Sequence, residues 1–245
     1  MKRIKLVVAY DGTNYCGWQI QPNDVTVEKV LNDKLTKLLG EEIKIIGASR
    51  TDSGVHALGN VAVFDTNSTI PGDRFSYALN TLLPQDIRVQ ESLEVDQDFH
   101  PRHCDTKKTY EYKILNRQFP VPSKRFDTYF FPYSLDIEKM QEAAKYLVGE
   151  HDFKSFCSAR TQTETTIRTI YSVDVSRSED VVSIKVTGNG FLYNMVRIIA
   201  GTLIQAGTGH YEPLKVNAVL ESNDRTLAGP TAPPEGLTLV EIQYL

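Results

Sequence analysis

Apolar and polar residues alternate from Arg3 to Tyr10, with Ile4, Leu6 and Val8 on one side, and this period of two predicts a strand. The period then becomes helical. Val27, Leu31, Leu35 and Leu38 fall on one stripe, Asp24 or Thr26 can cap its start, and Gly40 can end it. Ile43 and Ile45 around Lys44, and Val61 and Val63 around Ala62, predict two strands either side of a polar turn at Ser53-Gly54. Pro71 opens a second helix carrying Phe75, Leu79 and Leu82, Pro84 ends it, and Asp86–Glu91 forms a fourth strand. The order is β-α-β-β-α-β, that of a ferredoxin-like unit.

The same order recurs further on. Thr109–Leu115 is a strand with Tyr110, Tyr112 and Ile114 on one face, and Ile137, Met140, Ala144 and Leu147 make a helical stripe ending at Gly149. Ile167–Val175 and Val181–Thr187 read as a hairpin around the polar Ser176–Asp180. Leu192, Met195, Val196, Ile199 and Leu203 give another helix that stops at Gly207, followed by a short helical piece after Pro213 and a final strand, Leu237–Tyr244. Tyr129–Pro132 and Ser155–Thr166 read as loops. The expectation is an α+β chain of two pseudo-symmetric ferredoxin-like domains, residues 1–104 and 105–245, with mainly antiparallel sheets joined around a central cleft. That unit hosts many activities, so the architecture alone gives no function.

Composition adds bounds. The 245 residues, 41% hydrophobic and 24% charged, suit a soluble globular chain. Met1-Lys2-Arg3 runs straight into an alternating pattern, so neither a signal peptide nor a membrane-spanning segment is expected. Cys16, Cys104 and Cys157 are odd in number and lack Cys-x-x-Cys spacing, which suits a reducing cytoplasm. A net charge of −4 weighs slightly against a nucleic-acid partner. Locally, however, Arg102, Lys107 and Lys108 cluster, as do Lys124 and Arg125, and Arg160, Arg168 and Arg197 follow. His100, His103 and Cys104 offer three metal ligands close together, with His56 elsewhere. No second cluster completes a four-ligand pattern and adjacent ligands suit a tetrahedral site poorly, so no metal is expected.

The turn between the first two flanking strands carries the chemistry. Gly47-Ala48-Ser49-Arg50-Thr51-Asp52-Ser53-Gly54-Val55-His56-Ala57 sets one carboxylate, Asp52, at the rim of a sheet, where a ligand can reach it. By spacing alone, an Asp capping its own turn explains the residue equally well. The wording of the segment says more. Arg50-Thr51-Asp52-Ser53-Gly54-Val55-His56-Ala57 resembles the signature of the tRNA pseudouridine synthase A family, whose Asp is catalytic. Tyr10–Gln19, Tyr77–Pro84, Phe99-His100-Pro101-Arg102, Lys108–Tyr112 and Asn189–Arg197 resemble further blocks of that family, so the likeness spans essentially the whole chain. Ser49 departs from it, standing where members often carry glycine.

The resemblance implies a cofactor-independent, cytoplasmic isomerase that converts uridines 38, 39 and 40 of the tRNA anticodon stem-loop to pseudouridine. It implies a homodimer with no membrane partner. Asp52 is then the catalytic carboxylate, Arg197 its partner, and Tyr110 the aromatic against the target base. Arg50 is a candidate contact to phosphate or to the extruded base, because guanidinium binds phosphate bidentately. Read as residues, Tyr110 is equally an aromatic on a strand face. Arg197 sits off the stripe of Leu192, Ile199 and Leu203, where solvent would satisfy it as well as a cleft would. Tyr112 is expected in the core, and Trp18 either packs or touches RNA. Two rivals are a non-catalytic RNA-binding protein and an Asp-dependent hydrolase of a small glycoside. The second requires a paired carboxylate for which no candidate stands out.

Overall fold

The computed structural model describes residues 1–158 and 165–245. Arg160, one of the scattered basic positions, and part of the expected 155–166 loop lie outside the described residues. The fold is mixed α/β, with mostly antiparallel strands, and the chain divides into two compact units, Met1–Asp105 with Leu239–Leu245, and Thr106–Thr238.

The first unit begins with β1 (Lys2–Tyr10), whose Ile4, Leu6 and Val8 are fully buried. Helix α1 (Val27–Leu39) is capped by Thr26, whose Oγ1 accepts from the Lys29 N–H, and ends at Gly40 in the left-handed region, φ 68°. Val27, Leu31 and Leu35 face the core, as their spacing requires. The next strand, β2, is only Ile46–Gly47, shorter than Ile43 and Ile45 had suggested. The backbone N–H of Ile43 donates to Thr36 Oγ1 (3.1 Å) and that of Ile45 to Asn32 Oδ1 (2.9 Å). Side chains of α1 thus take the donors that a ladder would have used. Strand β3 (His56–Thr66) pairs antiparallel with β1, and α2 (Phe75–Asn80) follows a 3-10 turn at Gly72–Arg74. Helix α2 stops before Leu82, which is half-exposed; Leu83 fills the core instead. Strand β4 (Ile87–Val95) pairs with the other edge of β1 and runs past the expected Glu91.

In the second unit β5 (Thr106–Leu115) buries Tyr110, Tyr112 and Ile114 opposite Val186, Ile184 and Val182 of β9. Two short strands went unread in the sequence. Strand β6 (Tyr129–Phe130) pairs parallel with β5, and β7 (Gly149–Asp152) pairs antiparallel with β8. At two and four residues they are too short to set up a period. Helix α3 (Ile137–Lys145) is capped by Asp136. The hairpin is β8 (Ile167–Ser178) and β9 (Val181–Gly188), with Glu179 at φ 52° in the turn. Helix α4 (Met195–Gly207) is buried almost all round, and α5 (Leu214–Ser222) follows Pro213. Gly201 lets α4 press against the 229–232 segment, since a Cβ there would collide with the carbonyl oxygen of Pro230. The second unit's strand order is β5-β9-β8-β7. The last strand, β10 (Leu237–Tyr244), lies beside β3 and gives the first unit the order β4-β1-β3-β10. No helix among the described residues is long and apolar enough to cross a membrane.

Candidate active site

The Asp52 turn sits on the first unit's core. The β1–β3 register carries an extra residue on β3, since Val8 pairs with Asn60 but Tyr10 with Ala57. Such a bulge re-aims the side chains next to it. The Tyr10 hydroxyl reaches Thr51 Oγ1 at 2.8 Å, and Asn60 Nδ2 donates to Tyr10 Oη (3.4 Å) and to the Ser49 carbonyl (3.0 Å). The Ser49 N–H donates back to Asn60 Oδ1 at 3.3 Å. Ser49 and Thr51 are therefore bound to buried groups of two strands.

A second layer is backbone. The Trp18 N–H donates to the Thr51 carbonyl (3.1 Å), the Gly54 N–H to the Tyr15 carbonyl (3.2 Å), and the Val55 N–H to the Asp52 carbonyl (3.1 Å). Gly54 closes the turn at φ 78°. Gly17, at φ 81°, lies so near that a Cβ there would stand 2.5 Å from the Thr51 carbonyl oxygen. Any other L residue at position 17 meets both a disfavoured backbone and a clash. Asp52 is half-buried on this frame, and Arg50 is exposed. A carboxylate on a rigid rim can act as a nucleophile or a base, because the order of its support is already present before substrate arrives.

His56 is a frame residue. Its Nδ1 accepts from the Gly12 N–H (3.0 Å) and lies 3.2 Å from Asp11 Oδ1. Burial works against ionisation of Asp11, yet hydrogen bonds from Thr13 and the neighbouring His56 keep its carboxyl below the usual range. Trp18 is fully buried, its ring 5.8 Å from that of Tyr10, and its indole N–H has no hydrogen-bond partner among the described residues. It packs under the turn and is closed to RNA. His100 and His103 stack at 3.8 Å, and Cys104 Sγ donates to the His100 carbonyl. Among the described residues no group of three potential ligands could hold a metal ion.

Arg102 had no role of its own in the pattern of the chain. Grouped by order with Lys107 and Lys108, it turns instead toward the signature segment, where its Nε donates to the Gly47 carbonyl at 2.6 Å. The only sequence signal was its place in Phe99-His100-Pro101-Arg102.

In the second unit Tyr110 is buried with its ring edge-on to Phe191, centroids 5.1 Å apart. Tyr112 is core, as expected, and its hydroxyl donates to the Pro233 carbonyl at 2.8 Å. Arg197 is half-buried in the first turn of α4 and held from two sides. Its Nε donates to the Ala232 carbonyl (2.7 Å) and its Nη1 to Asn194 Oδ1 (3.0 Å). Asn194, at φ 61°, begins the helix and anchors its own amide on Ser158 Oγ. The guanidinium is fixed rather than free in solvent.

Comparison with known proteins follows the same residues. The model of the family described as tRNA pseudouridine synthase matches residues 6–103 and 143–245, which include Asp52 and Arg197 and leave Tyr110 in the gap. The protein named tRNA pseudouridine synthase A of Acetivibrio thermocellus is 51% identical over 244 residues, covering 100% of each chain. Those of a Thermoanaerobacter species and of Ruminiclostridium cellulolyticum are each 49% identical, again over 100% of both chains. With identity of this level along its full length, the chain belongs to the tRNA pseudouridine synthase family.

Proposed function

We propose that the protein is a tRNA-modifying isomerase that converts uridine to pseudouridine in the anticodon stem-loop, at positions 38, 39 and 40. The observation that carries this reading is the Asp52 turn, with its signature and its rigid support. The reaction breaks the bond between ribose C1′ and uracil N1, turns the base, and joins C1′ to C5. C5 loses a proton and N1 gains one, so the composition is unchanged and neither a redox cofactor nor an energy donor is consumed.

Asp52 supplies the carboxylate for this exchange. Arg197, pinned by Ala232 and Asn194, serves the same reaction as a fixed cation that keeps a carboxylate ionised and oriented. Tyr110 meets the target base. Arg50 contacts RNA while the base is out of the stack. Residues 1–104 and 105–245 are related β-α-β-β-α-β folds, the first carrying the carboxylate and the second Tyr110 and Arg197. The protein works in the cytoplasm as a homodimer, which sedimentation of the purified chain tests.

The activity test incubates the protein with unmodified tRNA and maps pseudouridine at each position. Conversion at 38–40 supports the reading. Binding without conversion would leave an RNA-binding module, and conversion elsewhere would move the target.

A further inference from the structure

Two guanidinium groups, those of Arg50 and Arg102, meet at the segment that leads into the Asp52 turn. Arg102 comes from a segment held firmly in the first unit. The ring of Phe99 packs edge-on to Tyr244 at 5.1 Å, and Tyr244 Oη donates to the carbonyl of the buried Pro101. The Arg102 N–H is engaged by His100 Nδ1. From this base the side chain reaches Gly47, three residues before Arg50, and its Nε spends its one hydrogen on the Gly47 carbonyl. Arg102 is exposed, and its Nη1 and Nη2 have no hydrogen-bond partner among the described residues.

Arg50 stands exposed on the same segment, and no salt bridge joins either arginine to a carboxylate among the described residues. Burial first, then the charge of Arg50, pushes the Arg102 guanidinium below its usual range. Glu28 offsets part of this, with its own Oε2 engaged by the Ile20 N–H at 2.9 Å. Folding thus brings two like charges together and pins one of them, a cost that an anion bound at the pair would relieve. A planar fork held by its Nε suits bidentate binding of a tetrahedral oxyanion.

We propose that Arg50 and Arg102 form a two-guanidinium site for one phosphate of the RNA backbone, next to the Asp52 turn. The site deepens the proposed function and rests on its RNA substrate. Arg102 is the fixed half, set by the Gly47 carbonyl, and Arg50 is the exposed half that completes the site. Holding one backbone phosphate beside Asp52 fixes where the adjoining nucleotide can turn out of its stack.

The test measures affinity of the full-length protein for an anticodon stem-loop across a salt series, using wild type, Arg50→Gln, Arg102→Gln, Arg102→Lys and the double Gln variant. Each Gln variant is expected to bind about tenfold more weakly. The slope of log affinity against log salt is expected to fall by about 0.7–0.9 for each charge lost. The double variant is expected to lose less than the product of the single losses, because both forks hold the same phosphate. Arg102→Lys is expected to recover little, since one ammonium cannot serve Gly47 and a phosphate together. A stem-loop with a neutral methylphosphonate at the contacted linkage should bind wild type and Arg102→Gln alike.

An Arg102→Gln variant with an unchanged salt slope would overturn the site and reduce Arg102 to a structural tie for Gly47. Strictly multiplicative losses would overturn the shared phosphate. Wild-type turnover, followed in the same samples, reports separately on the isomerase reading; its absence with these salt slopes intact would overturn that reading and leave the anion site standing.

Discussion

The hydroxyl of Tyr10, the last residue of β1, lies 2.8 Å from Oγ1 of Thr51, the residue immediately before Asp52, in a buried setting. A side chain at the end of a core strand thereby fixes the backbone that presents the candidate carboxylate. Tyr10→Phe removes this bond and the one from Asn60 while keeping the ring that packs on Trp18. Stability should fall by about 1 kcal/mol, the usual net worth of a buried hydrogen bond. Turnover should fall further than stem-loop affinity. Thermal melting and single-turnover kinetics measure the two effects, and equal losses in rate and affinity would argue against a role in aiming Asp52.

Asp52→Asn keeps the shape of the side chain and removes its charge. Pseudouridine formation should be abolished, while tRNA affinity stays within a few-fold of wild type because phosphate contacts elsewhere dominate binding. Mapping the product alongside a binding titration decides it. Turnover near the wild-type rate would end the assignment of Asp52.

Arg197→Ala should sharply reduce the single-turnover rate on a stem-loop, and Arg197→Lys should restore only part of it. A lysine cannot donate to Ala232 and Asn194 in the planar arrangement that the guanidinium uses. A melting curve accompanies the kinetics, since loss of these bonds loosens the start of α4. A folded Ala variant with an unchanged rate would return Arg197 to a purely structural place.

Gly17→Ala should destabilise the first unit by at least about 1–2 kcal/mol, the cost of left-handed backbone for a residue with a Cβ. The contact with the Thr51 carbonyl adds to it. Denaturant melts give the loss. A neutral outcome would mean that the 16–18 backbone can shift without disturbing the turn.

The Arg3–Asp65 pair is bidentate, at 2.8 and 2.7 Å, and joins β1 to β3. The hydrogen bond from Arg3 holds the Asp65 carboxyl below its usual range. A depressed carboxyl stabilises the fold above its unfolded pKa and loses that contribution as pH falls through its folded value. Asp65→Asn should therefore cost about 1 kcal/mol at neutral pH and very little at strongly acidic pH. Stability measured across that range tests it, and an equal loss at both ends would remove the charge from the explanation.

Elements with several regular periods were legible in the chain itself. Strand β1, helix α1, the β8–β9 hairpin and strand β10 follow directly from the spacing of Ile4, Leu6 and Val8, of Val27, Leu31 and Leu35, and of their counterparts later on. What periodicity could not convey was the use of side chains to satisfy backbone. Asn32 and Thr36 shorten β2 by taking its donors, a choice invisible in Ile43 and Ile45. Similarly, the turn that bears Asp52 was legible through its Ser53-Gly54 pair, whereas the tie from Arg102 was not. Its significance comes from a carbonyl 55 positions away, and no local pattern encodes such a meeting.

Trp18 lies wholly inside the first unit, beneath the turn that bears Asp52, and it is the sole tryptophan of the chain. The second unit absorbs and emits only through tyrosine and phenylalanine. Indole fluorescence is therefore a built-in optical gauge of one unit alone. Its emission should be blue in the native protein and move to the red when the packing under Asp52 loosens. Local failure of the candidate site can then be told from unfolding of the other unit without attaching a dye.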